Sequence, residues 1–177
     1  MPRLFTGLEI PSDMSDALAR MRGGLPGARW IDQQNYHITL RFIGDIDHAT
    51  ARDIDAALGE VHREPVAVTL DSLSAFGGGR PRAVIARVAP TAALAELQAD
   101  QERRVRSAGI PPEGRKFTPH VTLARLRDAS PMDVADYLAL RGAFPTMRFT
   151  AYRFVLFSSR DSVGGGPYVI EAAYPLG

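Results

Sequence analysis

The chain has 177 residues, 45% hydrophobic and 23% charged, enough for one globular core or two small, intimately packed lobes. Zero cysteines exclude disulfides, thiolate zinc sites and a cysteine nucleophile, and a formal net charge of +1 removes any bulk electrostatic case for holding long nucleic acids. No apolar stretch approaches the roughly 20 residues of a membrane span and nothing near Met1 resembles a secretory leader, so a cytoplasmic protein without membrane contacts is expected.

In chain order, "RLFTGLEI" (3–10) reads as a strand, and Ser12 is expected to cap a helix with Met14, Ala17, Leu18 and Met21 at helical spacing. "NYHITLRFIG" (35–44) alternates as a half-buried strand does. Asp47 to His62 is amphipathic through Ala51, Ile54, Leu58 and Val61, and strands at Val66 to Phe76 and Arg82 to Ala89 flank the turn "GGGRP". Thr91 caps a longer helix ending near Gly109. "PHVTLARL" (119–126) is another strand, Ser130 with Pro131 opens a helix through Met132, Ala135 and Leu138, and two strands, Met147 to Ser158 and Pro167 to Tyr174, close the chain.

This order hides a repeat. His37 and His120 each lie on a strand preceded by strand and helix and followed by helix, strand, strand, and the offset is 120 − 37 = 83 residues. Adding 83 to Arg82 lands on Gly165, just before the final strand. The simplest geometry is two similar α+β lobes about a pseudo-twofold, each donating its histidine strand to a shared cleft.

Side chains alternate across a strand, so His37, Thr39 and Arg41 share one face, with Tyr36, Ile38, Leu40 and Phe42 on the other. His120 and Thr122 likewise share a face opposite Val121 and Leu123. Two imidazoles and two hydroxyls around one volume suit acid and base catalysis near neutral pH and the oxygens of a phosphate. A lone His-x-Thr is ordinarily structural; two copies at corresponding places of a repeat argue for chemistry. A metal site is the rival reading, yet there is no His-x-His, no His-Glu-x-x-His and no carboxylate cluster beside either motif, and His48 and His62 stand at opposite ends of one helix, about 21 Å apart. Arg41 reads equally as a phosphate ligand or a rim residue. Arg115 and Lys116 read as a soluble loop that could meet a phosphate backbone, and Phe5, Phe42 and Phe117 as core residues before base-stacking ones.

"YHITLRFIG" (36–44) and "RKFTPHVTLAR" (115–125) resemble the paired signatures of the two-histidine phosphoesterase superfamily, in particular the RNA 2′,3′-cyclic phosphodiesterases, once named 2′-5′ RNA ligases. "RLFTGLEIP", "GRPRAVIARV" and "LFSSRDSVGGGPYVIEAAYPLG" extend the likeness over nearly the whole chain. The resemblance implies one bilobal α+β domain over residues 1–177, two pseudo-symmetric lobes of mainly antiparallel sheet with helices outside, and a central cleft with one His-x-Thr strand per lobe. It implies catalytic His37 and His120, phosphate-binding Thr39, Thr122 and Arg125, and no metal or other cofactor. Strict alternation puts Arg125 opposite His120, so it reaches the cleft only if the strand twists, bulges or ends early. The implied substrates are RNA with 2′,3′-cyclic phosphate ends, or cyclic nucleotides, opened to 2′-phosphates by a monomer with His120 as base and His37 as acid; with an RNA 5′-hydroxyl as nucleophile the same displacement makes a 2′-5′ linkage. The competing readings are a phosphodiesterase for 2′-5′ oligoadenylate or a cyclic phosphate of ADP-ribose, a non-catalytic RNA-binding module, and a metal-dependent hydrolase.

Overall fold

The computed structural model describes residues 3–159 and 166–177. Part of the closing "LFSSRDSVGGGPYVIEAAYPLG", including the Gly165 to which the repeat offset points, lies outside the described residues. The elements are β1 (Arg3–Glu9), α1 (Ser12–Ala19), β2 (Ala28–Trp30), β3 (His37–Asp45), α2 (His48–Leu58), β4 (Val66–Phe76), β5 (Ala83–Val88), α3 (Ala92–Ser107), β6 (His120–Leu126), α4 (Pro131–Leu140), β7 (Met147–Ala151), β8 (Arg153–Ser159) and β9 (Tyr168–Pro175). A single 3-10 turn at Gln33–Asn35 leads into β3.

The strands run antiparallel in the order β7-β4-β5-β6-β3-β1-β8-β9, with β2 on β6. The α+β, two-lobed expectation therefore stands, and the lobes meet where β3 and β6 adjoin. That junction is one residue pair wide, Ile38 with Val121. Beyond it the strands part, and β2 occupies the edge of β6 from Ala124 to Leu126. The lobes are not the two halves of the chain. First-half strands β1 and β3 pair with second-half strands β8 and β9, while β4 and β5 pair with β6 and β7, so the halves exchange strands across the axis. One hydrophobic cluster runs through both lobes, with Leu8, Ile38, Val121 and Leu123 all fully buried.

Local chemistry sets the helix starts. Thr91 Oγ1 accepts the Leu94 amide at 3.2 Å, Ser130 Oγ the Asp133 amide at 3.0 Å, and Asp47 Oδ1 the Thr50 amide at 2.7 Å. Ser12 does not cap: the helix already includes it, and Pro11, with φ −55° and ψ 147°, holds the extended position before it. The single closing strand expected from Met147 to Ser158 is two strands. Tyr152, 69% exposed, separates them where the chain leaves β4 for β1, and its carbonyl is tied down by the Leu176 amide at 2.8 Å. The short strand β2 has three residues, too few to show alternation.

Arg41 is neither rim residue nor phosphate ligand. It is 4% exposed and turned away from His37: Nε donates to the Glu102 carboxylate of α3, Nη1 to the Phe42 carbonyl, and Nη2 to the Pro111 carbonyl at 2.6 Å. Glu102 also accepts the Glu113 amide at 3.0 Å, so the pair fastens the segment before β6 to β3. Removing one partner of such a pair leaves a buried, uncompensated charge. Glu102→Ala should cost on the order of 3 kcal/mol in denaturant unfolding, whereas Glu102→Gln, which keeps an acceptor, should cost clearly less.

Candidate active site

Along β3 and β6 the same sequence of environments recurs: half-buried His37 and His120, buried Ile38 and Val121, half-buried Thr39 and Thr122, then two buried residues in succession and an exposed one. The doubled buried step marks a β-bulge. On β1 the register passes from Gly7 opposite Thr39 to Thr6 opposite Arg41, skipping Leu40; on β5 it passes from Ile85 opposite Thr122 to Val84 opposite Ala124, skipping Leu123. Leu40 and Leu123 are separated by the same offset as the two histidines, so the bulges are equivalent. An extra residue reverses the alternation beyond it, which turns Arg41 inward and brings Phe42 and Arg125 to the histidine face. Phe42, expected in the core, is 40% exposed.

These strands line a cleft of about 560 Å³ that takes in His37, Thr39, His120, Thr122 and Arg125, the five residues singled out from the sequence. Glycine at position 7, opposite Thr39 on β1, permits a close approach behind these strands: a Cβ there would lie 2.6 Å from the Ile38 carbonyl oxygen and 3.1 Å from the Phe157 ring. Of the doubtful residues, Phe5 and Arg115 also line the cleft, Phe5 being 4% exposed beneath His37, whereas Phe117 packs against the main core. Arg3, Arg82, Phe76 and Tyr168 line it too and were not foreseen. They lie at strand ends, where side-chain direction has no periodic signal. His62 is elsewhere, in a surface depression with Pro175 and Gly177.

The two imidazoles are held alike. His37 Nδ1 donates to the Asn35 carbonyl at 2.9 Å and His120 Nδ1 to the Thr118 carbonyl at 2.7 Å, each two residues upstream. A carbonyl only accepts, so the proton is fixed on Nδ1 and Nε2 is left to exchange protons. His37 Nε2 lies 2.9 Å from Thr39 Oγ1. Phe5 and Tyr168 pack on the His37 ring with centroids 4.9 Å away, Tyr168 edge-on, and Phe76 stands edge-on to His120 at 4.8 Å. Burial in this aromatic setting disfavours the charged ring and pushes His37 down to about 4; the Asn35 carbonyl opposes the shift, while His120 and Arg125 reinforce it. His120 is lowered in turn by burial, with Arg125 adding to it against the Thr118 carbonyl. The Arg125 charge thus acts on both rings, and all three side chains line the one cleft. Among the described residues no three His, Cys, Asp or Glu side chains converge as metal ligands would, and no helix is long and apolar enough to cross a membrane.

The family model described as LigT like Phosphoesterase matches the chain twice, over residues 8–86 and 87–168, one histidine strand in each. An RNA 2′,3′-cyclic phosphodiesterase of Aquifex aeolicus is 34% identical, covering 99% of this chain and 97% of that protein. A protein of the same name from Aeropyrum pernix is 37% identical over 66% of this chain and 69% of its own length. Among solved structures, Escherichia coli LigT complexed with 3′-AMP superimposes with a TM-score of 0.77 at 22% identity over 99% of both chains. A protein of Thermus thermophilus does so with 0.81 at 21% identity, over 98% of this chain and 97% of its own. At these identities the solved structures speak for the fold.

The different surroundings of the two rings are measurable. Proton NMR should show His37 Cε1–H titrating with a midpoint near 4 and His120 below the ordinary 6.5; a midpoint at or above 6.5 for His37 would contradict the burial argument.

Proposed function

Because this chain belongs to the LigT-like phosphoesterases, and within them to the RNA 2′,3′-cyclic phosphodiesterase family, we propose that its cleft opens 2′,3′-cyclic phosphate ends of RNA to 2′-phosphates by two-histidine acid and base catalysis. The observation that carries this reading is the paired anchoring of His37 and His120, each with Nδ1 committed to a carbonyl and Nε2 left for proton transfer in the one cleft that both rings line.

His120 Nε2 takes a proton from water as the water oxygen bonds to phosphorus. The bond from phosphorus to the ribose 3′ oxygen breaks, and protonated His37 Nε2 delivers its proton to that oxygen, leaving a 3′-hydroxyl and a 2′-phosphate. Thr39 and Thr122 donate to the non-bridging oxygens, and the Arg125 guanidinium balances charge that grows in the transition state. An RNA 5′-hydroxyl in place of water runs the same displacement as 2′-5′ ligation. All five groups belong to one chain, so a monomer suffices, acting in the cytoplasm where RNA ends are processed.

Incubating the protein with nucleoside 2′,3′-cyclic phosphates in excess EDTA, with phosphorus NMR of the products, tests this directly. The 2′-phosphate should form in the presence of chelator, and His37→Ala and His120→Ala should each lower turnover by roughly 10² to 10⁴, the double variant adding little. A main product of 3′-phosphate would reverse the placement of His37; abolition by EDTA with rescue by a divalent ion would end the two-histidine mechanism.

The depressed imidazoles also set the pH response. His37 must be protonated and His120 neutral, and with both pKa values displaced below 6.5 the bell-shaped kcat/KM profile should have its optimum on the acid side of 6.5. An anionic diester in the cleft favours both cations, so the kcat profile should lie at higher pH than that of kcat/KM. An optimum of kcat/KM above about pH 7 would contradict the lowering of both imidazoles.

A further inference from the structure

The ends of the cleft differ in chemistry although equivalent strands build them. From the Ile38–Val121 pairing, β3 and β6 run in opposite directions, which sets Phe42 toward one end and its counterpart Arg125 toward the other. Beside Phe42 lies β1, with Phe5 as its cross-strand partner and Arg3 two residues further out. The segment before β6, fastened to β3 through Arg41 and Pro111 at 2.6 Å, brings in Arg115. All of these but Arg41 and Pro111 line the same cleft, and no carboxylate of the described residues does.

None of the three outer groups is used by its own fold. Phe42 keeps 40% of its surface open. Arg3 has no ion-pair partner among the described residues, and the Arg115 guanidinium has only a 3.5 Å contact with Glu113 on a side chain that is 81% exposed. An open phenyl ring and two guanidiniums lining one cleft match a base and the phosphodiester attached to it, since every base offers a π-face to stack and every linkage a negative charge. The cyclic phosphate itself is met by the imidazoles and threonines, with Arg125 reaching it from the end opposite Phe42.

We propose that Phe42, Arg3 and Arg115 form a second nucleotide subsite, holding the base and phosphodiester next to the cyclic-phosphate terminus, so that the preferred substrate is the end of an RNA strand and not a cyclic mononucleotide. This rests on the phosphodiesterase reading above. The test compares kcat/KM for a 2′,3′-cyclic mononucleotide with that for a dinucleotide ending in the same cyclic phosphate, at several salt concentrations. The dinucleotide should be favoured on the order of tenfold, the usual value of one stacked base. Phe42→Ala should bring the ratio near one, Phe42→Tyr should keep it, and Arg3→Ala should flatten the salt dependence of the dinucleotide by about 0.7 in the log–log slope. Equal use of both substrates by the wild type, or proportional loss on both in Phe42→Ala with Arg3→Ala leaving the slope unchanged, would overturn the subsite. Turnover of neither substrate would instead overturn the phosphodiesterase reading beneath it.

Discussion

The two lobes share a core, but their central strands β3 and β6 pair through one residue pair only, and the side chains that line the cleft are placed from that pair outward. Ile38 and Val121 are both fully buried and pair across the lobe boundary; the residues flanking them are His37, Thr39, His120 and Thr122. Because antiparallel neighbours on one face stand within about 5.5 Å, a single pairing brings both histidine and threonine sets to one small volume. The divergence of β3 and β6 on either side opens that volume to a ligand. A longer ladder between the strands would close it, and no ladder would leave the two rings without a shared reference.

The duplicated His-x-Thr could be seen in the sequence because alternation holds at the start of each strand, where His37 to Leu40 and His120 to Leu123 obey it. It misleads beyond Leu40 and Leu123, and for one reason in both places. A bulge adds a residue to the count without changing residue type, so Arg41 and Phe42 exchanged their expected faces, and Arg125 gained the cleft that strict parity denied it. The placement of Arg125 came from family resemblance and not from period, and the bulge supplies its physical reason. Strand β2 and the break at Tyr152 escaped for want of length, and Arg3 and Arg82 because nothing periodic marks a strand's end.

Charge is distributed with the same economy. A chain whose net charge is +1 gathers Arg3, Arg82, Arg115 and Arg125 around one cleft and keeps carboxylates of the described residues out of its lining. Elsewhere arginines are neutralised in place: Arg153 by Glu9 at 2.6 Å, Arg104 by Glu60 at 2.9 Å, Arg87 by Asp71 at 3.0 Å. Local field, not bulk charge, draws an anion to the site, and the aromatic packing around His37 and His120 keeps the rings from answering that field as permanent cations.

The exchange of strands across the pseudo-axis has a consequence for how the chain folds as it is made. The lobe of β4 to β7 is complete once Ala151 has left the ribosome, but the lobe that begins with β1 at Arg3 waits for β8 and β9, ending at Pro175. Strand β1 thus sits between β3 and an open edge until β8 is made some 150 residues later in the chain, and contacts this distant in sequence form slowly. Exposed edges of that kind invite pairing with other chains. A truncation of only the last strands would therefore damage the lobe that was begun first, while the lobe encoded in the middle of the chain would keep all its strands.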